Sequence, residues 1–129
     1  MVETHPHHHR GKGVLHELDA AQVHALLRSH QAVLIDVREP AEFEAEHIPG
    51  ALLFPLSGFE PASLPVDGSK RITLQCGTGR RSALAAQQLL AGGSDEASHL
   101  AGGIKAWKEA GLPLTNVDPA TGHPHRRHL

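Results

Sequence analysis

The residues best suited to chemistry in this sequence surround its single cysteine, in the stretch ITLQCGTGRRSALAAQQLL. Cys76 ends an apolar run, and Gly77, Gly79, Arg80 and Arg81 follow it within five positions. Glycines permit backbone angles that turn successive N–H groups inward, which forms a concave anion-binding loop. The helix that follows adds the positive end of its dipole, and the two arginines add full charges. The loop therefore favours an anion, and Cys76 itself can supply one as a thiolate.

A thiol held in such surroundings is expected to be acidic and nucleophilic. The pKa of a free cysteine is about 8.5, and helix N-termini and neighbouring arginines lower it. Each unit corresponds to about 1.4 kcal/mol of preference for the thiolate. A solitary cysteine is more commonly an inert core residue, but an inert residue needs neither the glycines nor the arginines. The sequence therefore predicts that Cys76 is a reactive thiol, partly exposed on the rim of a turn.

The elements that must position this loop follow from an alternation of apolar runs and helical patterns. The predicted strands are AVLIDV, a short run in IPGALLFPL, RITLQ and EASHL. The predicted helices are LDAAQVHALLRSH, PAEFEAEH, SALAAQQLLAGG and GIKAWKEAG. Strands that alternate with helices predict an α/β domain with a parallel sheet covered on both faces. Ligands of such sheets bind at the carboxyl ends of the strands, and Cys76 directly follows RITLQ.

Individual residues mark where these helices begin and end. Asp19 and Gln22, three positions apart, predict a capping box. Pro40 is typical of a first helical turn. The helix after the cysteine loop is expected to begin at about Ser82 and to stop at Gly92. The segment GTGRR is left as a tight connection between the cysteine and this helix.

The two ends of the chain differ from its middle. Residues 1–13 and 114–129 are rich in histidine, proline and glycine and show no apolar periodicity. They are predicted to be flexible tails on either side of a single domain at residues 14–113. Seven of the twelve histidines lie in these tails. Because a flexible tail offers no fixed ligand geometry, no metal site is predicted.

Composition and charge exclude several classes of function. The 129 residues carry a net charge of −2 and no long basic run, which argues against a nucleic-acid partner. No window approaches the roughly 18 apolar residues that span a bilayer, and the first residues lack the apolar stretch of a secretory signal. One cysteine cannot form an internal disulfide and fits a reducing compartment. These features predict a cytoplasmic protein without a membrane or nucleic-acid partner.

Three motifs resemble those of the rhodanese-like sulfurtransferase family. CGTGRRS is similar to the family loop Cys-x-x-Gly-x-Arg followed by Ser or Thr. LIDVREPAEFEAEHIPGAL and LAGGIKAW resemble two further family segments, in family order and at family spacing. The resemblance covers about residues 15–113. It implies a five-stranded parallel sheet flanked by helices, and transfer of a sulfane sulfur through a cysteine persulfide without a metal or organic cofactor.

The resemblance also implies roles for the residues of the loop. Cys76 would be the catalytic residue, which accepts the sulfur from thiosulfate or a persulfide donor and passes it to cyanide, a thiol or a protein acceptor. Backbone amides of the loop would cradle the outer sulfur. The residues implied to bind substrate are Gly77, Thr78, Gly79, Arg80, Arg81 and Ser82.

Four other residues of the family segments are interpreted first as structural supports. Asp36 and Arg38 lie at the end of a predicted strand, where charged groups are commonly paired or solvated. Glu39 is expected to pair with a nearby arginine. His47 is expected to make an orienting hydrogen bond rather than to act as an acid or base.

Two other interpretations remain open at this point. Cysteine phosphatases and arsenate reductases use a similar loop with five residues between cysteine and arginine, whereas GTGR places four between Cys76 and Arg81. A non-catalytic rhodanese-like binding or regulatory module is the second alternative, because a fold alone does not confer activity. Gly77 also departs from family members that carry a bulky or basic residue directly after the cysteine, which leaves the choice of donor open.

Overall fold

The computed structural model describes residues 8–9, 13–64, 69–117 and 124–127, and it shows a mainly parallel sheet between two layers of helices. The strands in this part of the chain are β1 His8–His9, β2 Gly13–Leu18, β3 Ala32–Asp36, β4 Glu46–His47, β5 Leu52–Leu53, β6 Arg71–Gln75, β7 Glu96–Leu100, β8 Leu114–Val117 and β9 Pro124–Arg127. The helices are α1 Ala20–Arg28, α2 Pro40–Ala45, α3 Arg80–Ala91 and α4 Gly103–Glu109, with short 3-10 turns at Leu56–Gly58 and Pro61–Ser63.

The main sheet has the strand order β1-β2-β7-β6-β3-β5. The five strands from β2 to β5 in this order are parallel to their neighbours, which confirms the expected five-stranded parallel sheet. The two-residue strand β1 adds an antiparallel edge beside β2. Strands β4, β8 and β9 form a separate antiparallel sheet. Because β6 lies in the middle of the main sheet, the segment that follows it emerges at the centre of the carboxyl edge.

Each face of the main sheet is covered by its own apolar cluster. Helix α3 covers one face, and the buried residues of that cluster are Leu15, Ile35, Val37, Phe59, Leu64, Leu74, Cys76, Ala85, Ala86, Leu89, Leu90 and Ala97. Helices α1 and α4 cover the other face, where the buried residues are Ala20, Val23, Leu34, Ile48, Ala51, Leu100, Ile104, Trp107 and Leu114. Strand residues alternate between the two clusters, as a sheet buried on both faces requires.

The helix boundaries agree with the sequence except at the helix that follows the cysteine. Asp19 and Gln22 form the expected capping box, with reciprocal hydrogen bonds of 2.8 and 2.9 Å. Pro40 opens α2. Helix α3, however, begins at Arg80 rather than at about Ser82. The cause is Gly79, whose φ of 106° turns the chain directly into the helix.

The strands differ from the expectation in three places. The sequence did not predict β2, although it completes the five-stranded sheet. The strand expected in IPGALLFPL is limited to Leu52–Leu53. Strand β8 lies beyond the expected domain end at residue 113, and Leu114 is buried in the second cluster. A strand and a buried core residue therefore lie within the segment that was expected to be a flexible tail. Most of the two expected tails lies outside the described residues.

Candidate active site

Cys76 lies directly after β6, at the position where the sequence placed it, but its side chain is buried. Only 1% of the residue is exposed, and it packs with the apolar cluster under α3. The expectation of a partly exposed thiol on a rim is therefore wrong. The backbone returns to within hydrogen-bond distance of the sulfur at Gly79 and Ser82, so the loop encloses the thiol, which lies at its floor.

The sulfur of Cys76 is surrounded by hydrogen-bond donors of its own loop. The backbone N–H of Gly79 donates to Sγ at 3.1 Å, and that of Ser82 donates at 3.3 Å. The Ser82 hydroxyl lies 3.7 Å from Sγ. Burial raises the pKa of the Cys76 thiol, but the hydrogen bonds from Ser82, Gly79 and Thr78 outweigh it and leave this pKa below its ordinary value. The loop is thus arranged to hold an anionic sulfur, as the sequence predicted.

The start of α4 fixes the backbone at the beginning of this loop. The N–H of Ile104 donates to the carbonyl oxygen of Cys76 at 2.8 Å, and the N–H of Lys105 donates to that of Gly77 at 3.1 Å. A Cβ atom at Gly103 would overlap both of these carbonyl groups. The second glycine of LAGGIKAW is therefore required by a close backbone approach between α4 and the cysteine loop.

Arg81 is held in place by a carboxylate from α2. Its guanidinium donates to both carboxylate oxygens of Glu42, at 2.8 and 3.0 Å. The hydrogen bond from Arg81 lowers the pKa of Glu42 from 4.5 to about 2. The guanidinium also lies over the loop, because a Cβ at Gly77 would be 3.2 Å from Nη2 of Arg81. The absence of a side chain at Gly77 thus leaves room for the guanidinium of Arg81.

The four expected support residues have structural contacts. Asp36 and Arg38 form a buried ion pair, in which Nη2 of Arg38 lies 2.9 Å from Oδ2 of Asp36. His47 Nδ1 lies 2.9 Å from the carbonyl oxygen of Phe43, which fits the expected orienting hydrogen bond. The described residues show no arginine partner for Glu39, which is the N-cap of α2 and accepts from the hydroxyl of Ser57 at 3.2 Å. The carboxylate of α2 that binds an arginine is Glu42, the partner of Arg81.

The six residues implied to bind substrate differ in their contacts with the sulfur and in their exposure. Gly79 and Ser82 direct donors at the sulfur, and so does the backbone of Thr78. Gly77 and Arg81 lie side by side, with Arg81 fixed by its carboxylate partner. Thr78 and Arg80 are exposed. The loop therefore encloses a buried sulfur with its own backbone donors and carries an exposed arginine, Arg80.

Sequence reasoning missed a histidine next to this loop. Nδ1 of His99 lies 2.8 Å from the hydroxyl oxygen of Ser82, and Nε2 of His99 lies 3.4 Å from Oε2 of Glu17. His99 is 3% exposed. The signal was available, because His99 lies near the carboxyl end of a predicted strand that neighbours the strand of Cys76. The contact of Glu17 with His99 could not be predicted in this way, because strand β2 was not predicted.

Two kinds of feature are absent from the described part of the chain. No group of three or more His, Cys, Asp or Glu side chains converges there in a way that could hold a metal ion. No helix in residues 13–64 and 69–117 has the length and apolar character needed to cross a bilayer.

Known proteins are similar to this chain in both sequence and fold. The family model described as a rhodanese-like domain matches residues 19–110. An uncharacterized protein of Synechocystis sp. is 49% identical over 95 residues, which cover 73% of this chain and 53% of that protein. A protein named sulfurtransferase from Allochromatium vinosum is 29% identical over 102 residues, which cover 78% of this chain and 95% of that protein. A crystal structure of a thiosulfate sulfurtransferase from Pseudomonas aeruginosa has a TM-score of 0.70 and 31% identity, over 78% of this chain and 20% of that one.

These matches confirm the family resemblance that three sequence motifs indicated. The chain spans about half the length of the Synechocystis protein, and nearly the whole length of the Allochromatium protein. The relatives include proteins named as sulfurtransferases and proteins without an assigned function.

Proposed function

The chain belongs to the rhodanese-like domain family, and we propose that it is a sulfurtransferase in which Cys76 carries the transferred sulfur as a persulfide. One observation carries the proposal: the only sulfhydryl lies at the floor of a loop whose amides donate to its sulfur and keep the pKa of the thiol below its ordinary value. A thiolate is the nucleophile that sulfur transfer needs. The relatives named as sulfurtransferases support the same activity.

In the first step, the thiolate of Cys76 attacks the outer sulfur of a donor. With thiosulfate, a bond forms between Sγ and the outer sulfur, and the bond between the two sulfur atoms of thiosulfate breaks. Sulfite leaves with the electron pair, and Cys76 becomes a persulfide anion. The total charge of −3 on thiolate and thiosulfate is kept, since the persulfide carries about one and sulfite about two of these charges.

In the second step, an acceptor takes the outer sulfur and restores the thiolate. Cyanide becomes thiocyanate, and a thiolate acceptor becomes a persulfide. Each step forms one bond to sulfur and breaks one, so the reaction is a covalent two-step exchange that follows the rules of thiol–disulfide exchange. This chemistry requires no metal or organic cofactor. The amides of Gly79 and Ser82 stabilise the anionic sulfur before and after each step.

The arginines of the loop suit a negatively charged donor. Arg81 is fixed beside Gly77 by Glu42, and Arg80 is exposed next to it. An approaching thiosulfate or persulfide would meet both positive charges before it reached the sulfur. Arg81 is paired with Glu42, whereas no partner of the exposed Arg80 is found among the described residues, so we expect Arg80 to contact the donor.

The test is the intact mass of the protein after incubation with candidate donors. We expect wild-type protein to gain the mass of one sulfur atom from thiosulfate, glutathione persulfide or polysulfide, and to lose it on addition of cyanide or dithiothreitol. The Cys76→Ser variant, the matched control, should gain nothing. If wild-type protein gains no sulfur from any of these donors, the binding-module interpretation replaces this proposal. Efficient hydrolysis of an aryl phosphate would favour the phosphatase alternative.

A further inference from the structure

A continuous row of four side chains connects the buried sulfur of Cys76 with the protein surface. Sγ of Cys76 lies 3.7 Å from Oγ of Ser82, and this Oγ lies 2.8 Å from Nδ1 of His99. Nε2 of His99 lies 3.4 Å from Oε2 of Glu17. The exposed fraction of the side chain is 4% for His99 and 60% for Glu17. The row therefore begins at a buried thiol and ends at a solvated carboxylate.

The side chains of this row lie on strands and a helix rather than on loops. Glu17 and His99 are direct partners in the parallel register of β2 and β7. They share the sheet face of Leu15 and Ala97, which pack in the cluster under α3. Ser82 lies in the first turn of α3 and is fully buried. Two strands and one helix thus fix the row.

Ser82 is the branch point of the row, because its hydroxyl carries one proton and has three neighbours. Oγ lies 3.3 Å from the carbonyl oxygen of Gly79, in addition to its contacts with Cys76 and His99. When Nδ1 of His99 carries no proton, it accepts the hydroxyl proton, and Ser82 is left to accept from the thiol of Cys76. When Nδ1 is protonated, it donates to Oγ, and the hydroxyl is free to donate to an anionic sulfur.

From this geometry we propose that His99 is a positioning residue of the sulfur site, which acts through Ser82 to set the protonation state of Cys76. The inference rests on the proposed function only for its purpose, since a persulfide carrier must form a thiolate. When the thiol ionises, its proton moves to Oγ of Ser82 while the hydroxyl proton moves to Nδ1 of His99. Glu17 accepts from Nε2–H, which stabilises the resulting imidazolium. When the thiol reforms, the protons return by the same path, so charge and protons balance.

The other charged groups around His99 do not interrupt this path. Helix α3, which covers this face, carries charges only at Arg80 and Arg81, and Arg81 is bound to Glu42. On β6, Arg71 donates to Ser98, which lies on the opposite face of β7. On β2, the titratable neighbour of Glu17 is His16.

His16 provides a matched control for the experiment. It lies on the same strand as Glu17, and its Nε2 lies 2.8 Å from Oε1 of Glu96, but its side chain is 37% exposed and points to the other face. It is therefore a histidine–carboxylate pair of the same kind, from the same two strands, without a connection to Cys76.

The decisive measurement is the pH dependence of the alkylation of Cys76 by iodoacetamide, followed by mass. His99→Asn keeps a hydrogen-bonding group near Ser82 but cannot take up a proton. We expect it to raise the midpoint by about one unit, which is roughly a tenfold lower thiolate fraction at neutral pH. Glu17→Gln should give a smaller shift in the same direction, and His16→Asn should give none. Ser82→Ala should remove the effect of His99→Asn, because the histidine acts through that hydroxyl.

Each outcome separates this inference from the proposed function. An unchanged midpoint in His99→Asn, with wild-type protein still gaining sulfur from a donor, would overturn the role of His99 and leave the sulfurtransferase intact. A shifted midpoint in a protein that accepts sulfur from no donor would support His99 and overturn the sulfurtransferase. If His99→Asn does not fold, Glu17→Gln decides, because its carboxylate is solvated. An equal shift in His16→Asn would also count against the proposal, since it would show a general effect of charge.

Discussion

The carboxyl ends of the neighbouring strands β3 and β6 each hold a buried group that accepts hydrogen bonds, but they hold it in different ways. At the last residue of β3, the carboxylate of Asp36 accepts hydrogen bonds from the backbone N–H and the guanidinium of Arg38. After β6, the sulfur of Cys76 accepts from two backbone N–H groups. Both groups are buried and both lie at the carboxyl edge. The difference lies in what holds the charge.

At the end of β3 the carboxylate is paired with a charged side chain, that of Arg38. Arg38 further donates to the carbonyl oxygen of Glu46 at 2.8 Å, which ties α2 to the sheet. At the end of β6 the donors are backbone amides, which stay in place whether the sulfur is a thiol, a thiolate or a persulfide. A paired charge stabilises a structure, whereas fixed dipoles around an exchangeable group permit chemistry.

The largest effect is expected at the sulfur itself. Cys76→Ser should abolish the formation of thiocyanate from thiosulfate and cyanide, because no other thiol exists in the chain to carry the sulfur. The free energy of unfolding should change by no more than about 1 kcal/mol, since serine is a smaller side chain with a similar shape. Urea denaturation and a colorimetric thiocyanate assay measure the two quantities. A variant that retained a comparable rate would contradict the covalent mechanism.

The ion pair at the end of β3 should show the reverse pattern. Arg38→Met leaves the carboxylate of Asp36 buried without its partner, and this is expected to cost about 3–5 kcal/mol of unfolding free energy. Replacing both residues, as Asp36→Asn with Arg38→Met, should recover part of the loss. In the protein that remains folded, the alkylation midpoint of Cys76 should be unchanged. A shift of that midpoint without a loss of stability would break the distinction between the two strand ends.

The fold was largely predictable from local sequence signals. The capping box of Asp19 and Gln22, the proline that opens α2 and the apolar runs of β3, β6 and β7 depend on residues within a few positions of one another. Strand β2 was missed because polar His16 and Glu17 interrupt its apolar pattern. Its partner β7 lies about 80 residues further along the chain, and only that pairing completes the sheet.

The candidate site was predictable in its residues but not in its burial or its partners. The glycines and arginines around Cys76 indicated an anion-binding loop, and the lowered pKa of the thiol agrees with that. Burial of Cys76 depends on how far the loop folds back, which no local pattern gives. The contact of Ser82 with His99 joins residues 17 positions apart, and that of Arg81 with Glu42 joins residues 39 positions apart. Such contacts need the assembled sheet.

A smaller effect on chemistry is expected from the arginine above the loop. Arg81→Ala should reduce kcat/KM for thiosulfate by about tenfold, or about 1.4 kcal/mol, because the loop loses a fixed positive charge beside Gly77. Arg81→Lys should recover part of this, since it keeps the charge but not the bidentate geometry. Arg28→Ala, at the exposed end of α1, is the control for a general loss of charge and should have no effect. An unchanged kcat/KM in Arg81→Ala would show that Arg81 does not contribute to the reaction with thiosulfate.

The smallest effect concerns the stability that the Glu42–Arg81 pair contributes. The pKa of Glu42 falls from 4.5 to about 2 on folding, so its carboxylate stabilises the folded state above about pH 4.5, and this contribution is lost as the pH falls towards 2. Because 35–40% of both side chains is exposed, solvent limits it to below about 1 kcal/mol. Glu42→Gln should therefore be less stable than wild type at pH 6, and the difference in unfolding free energy should shrink towards pH 3. Glu109→Gln, which loses an exposed partner of Lys105, is the control. If the difference in unfolding free energy grew on acidification, it would contradict the lowered pKa of Glu42 and the pairing of Glu42 with Arg81.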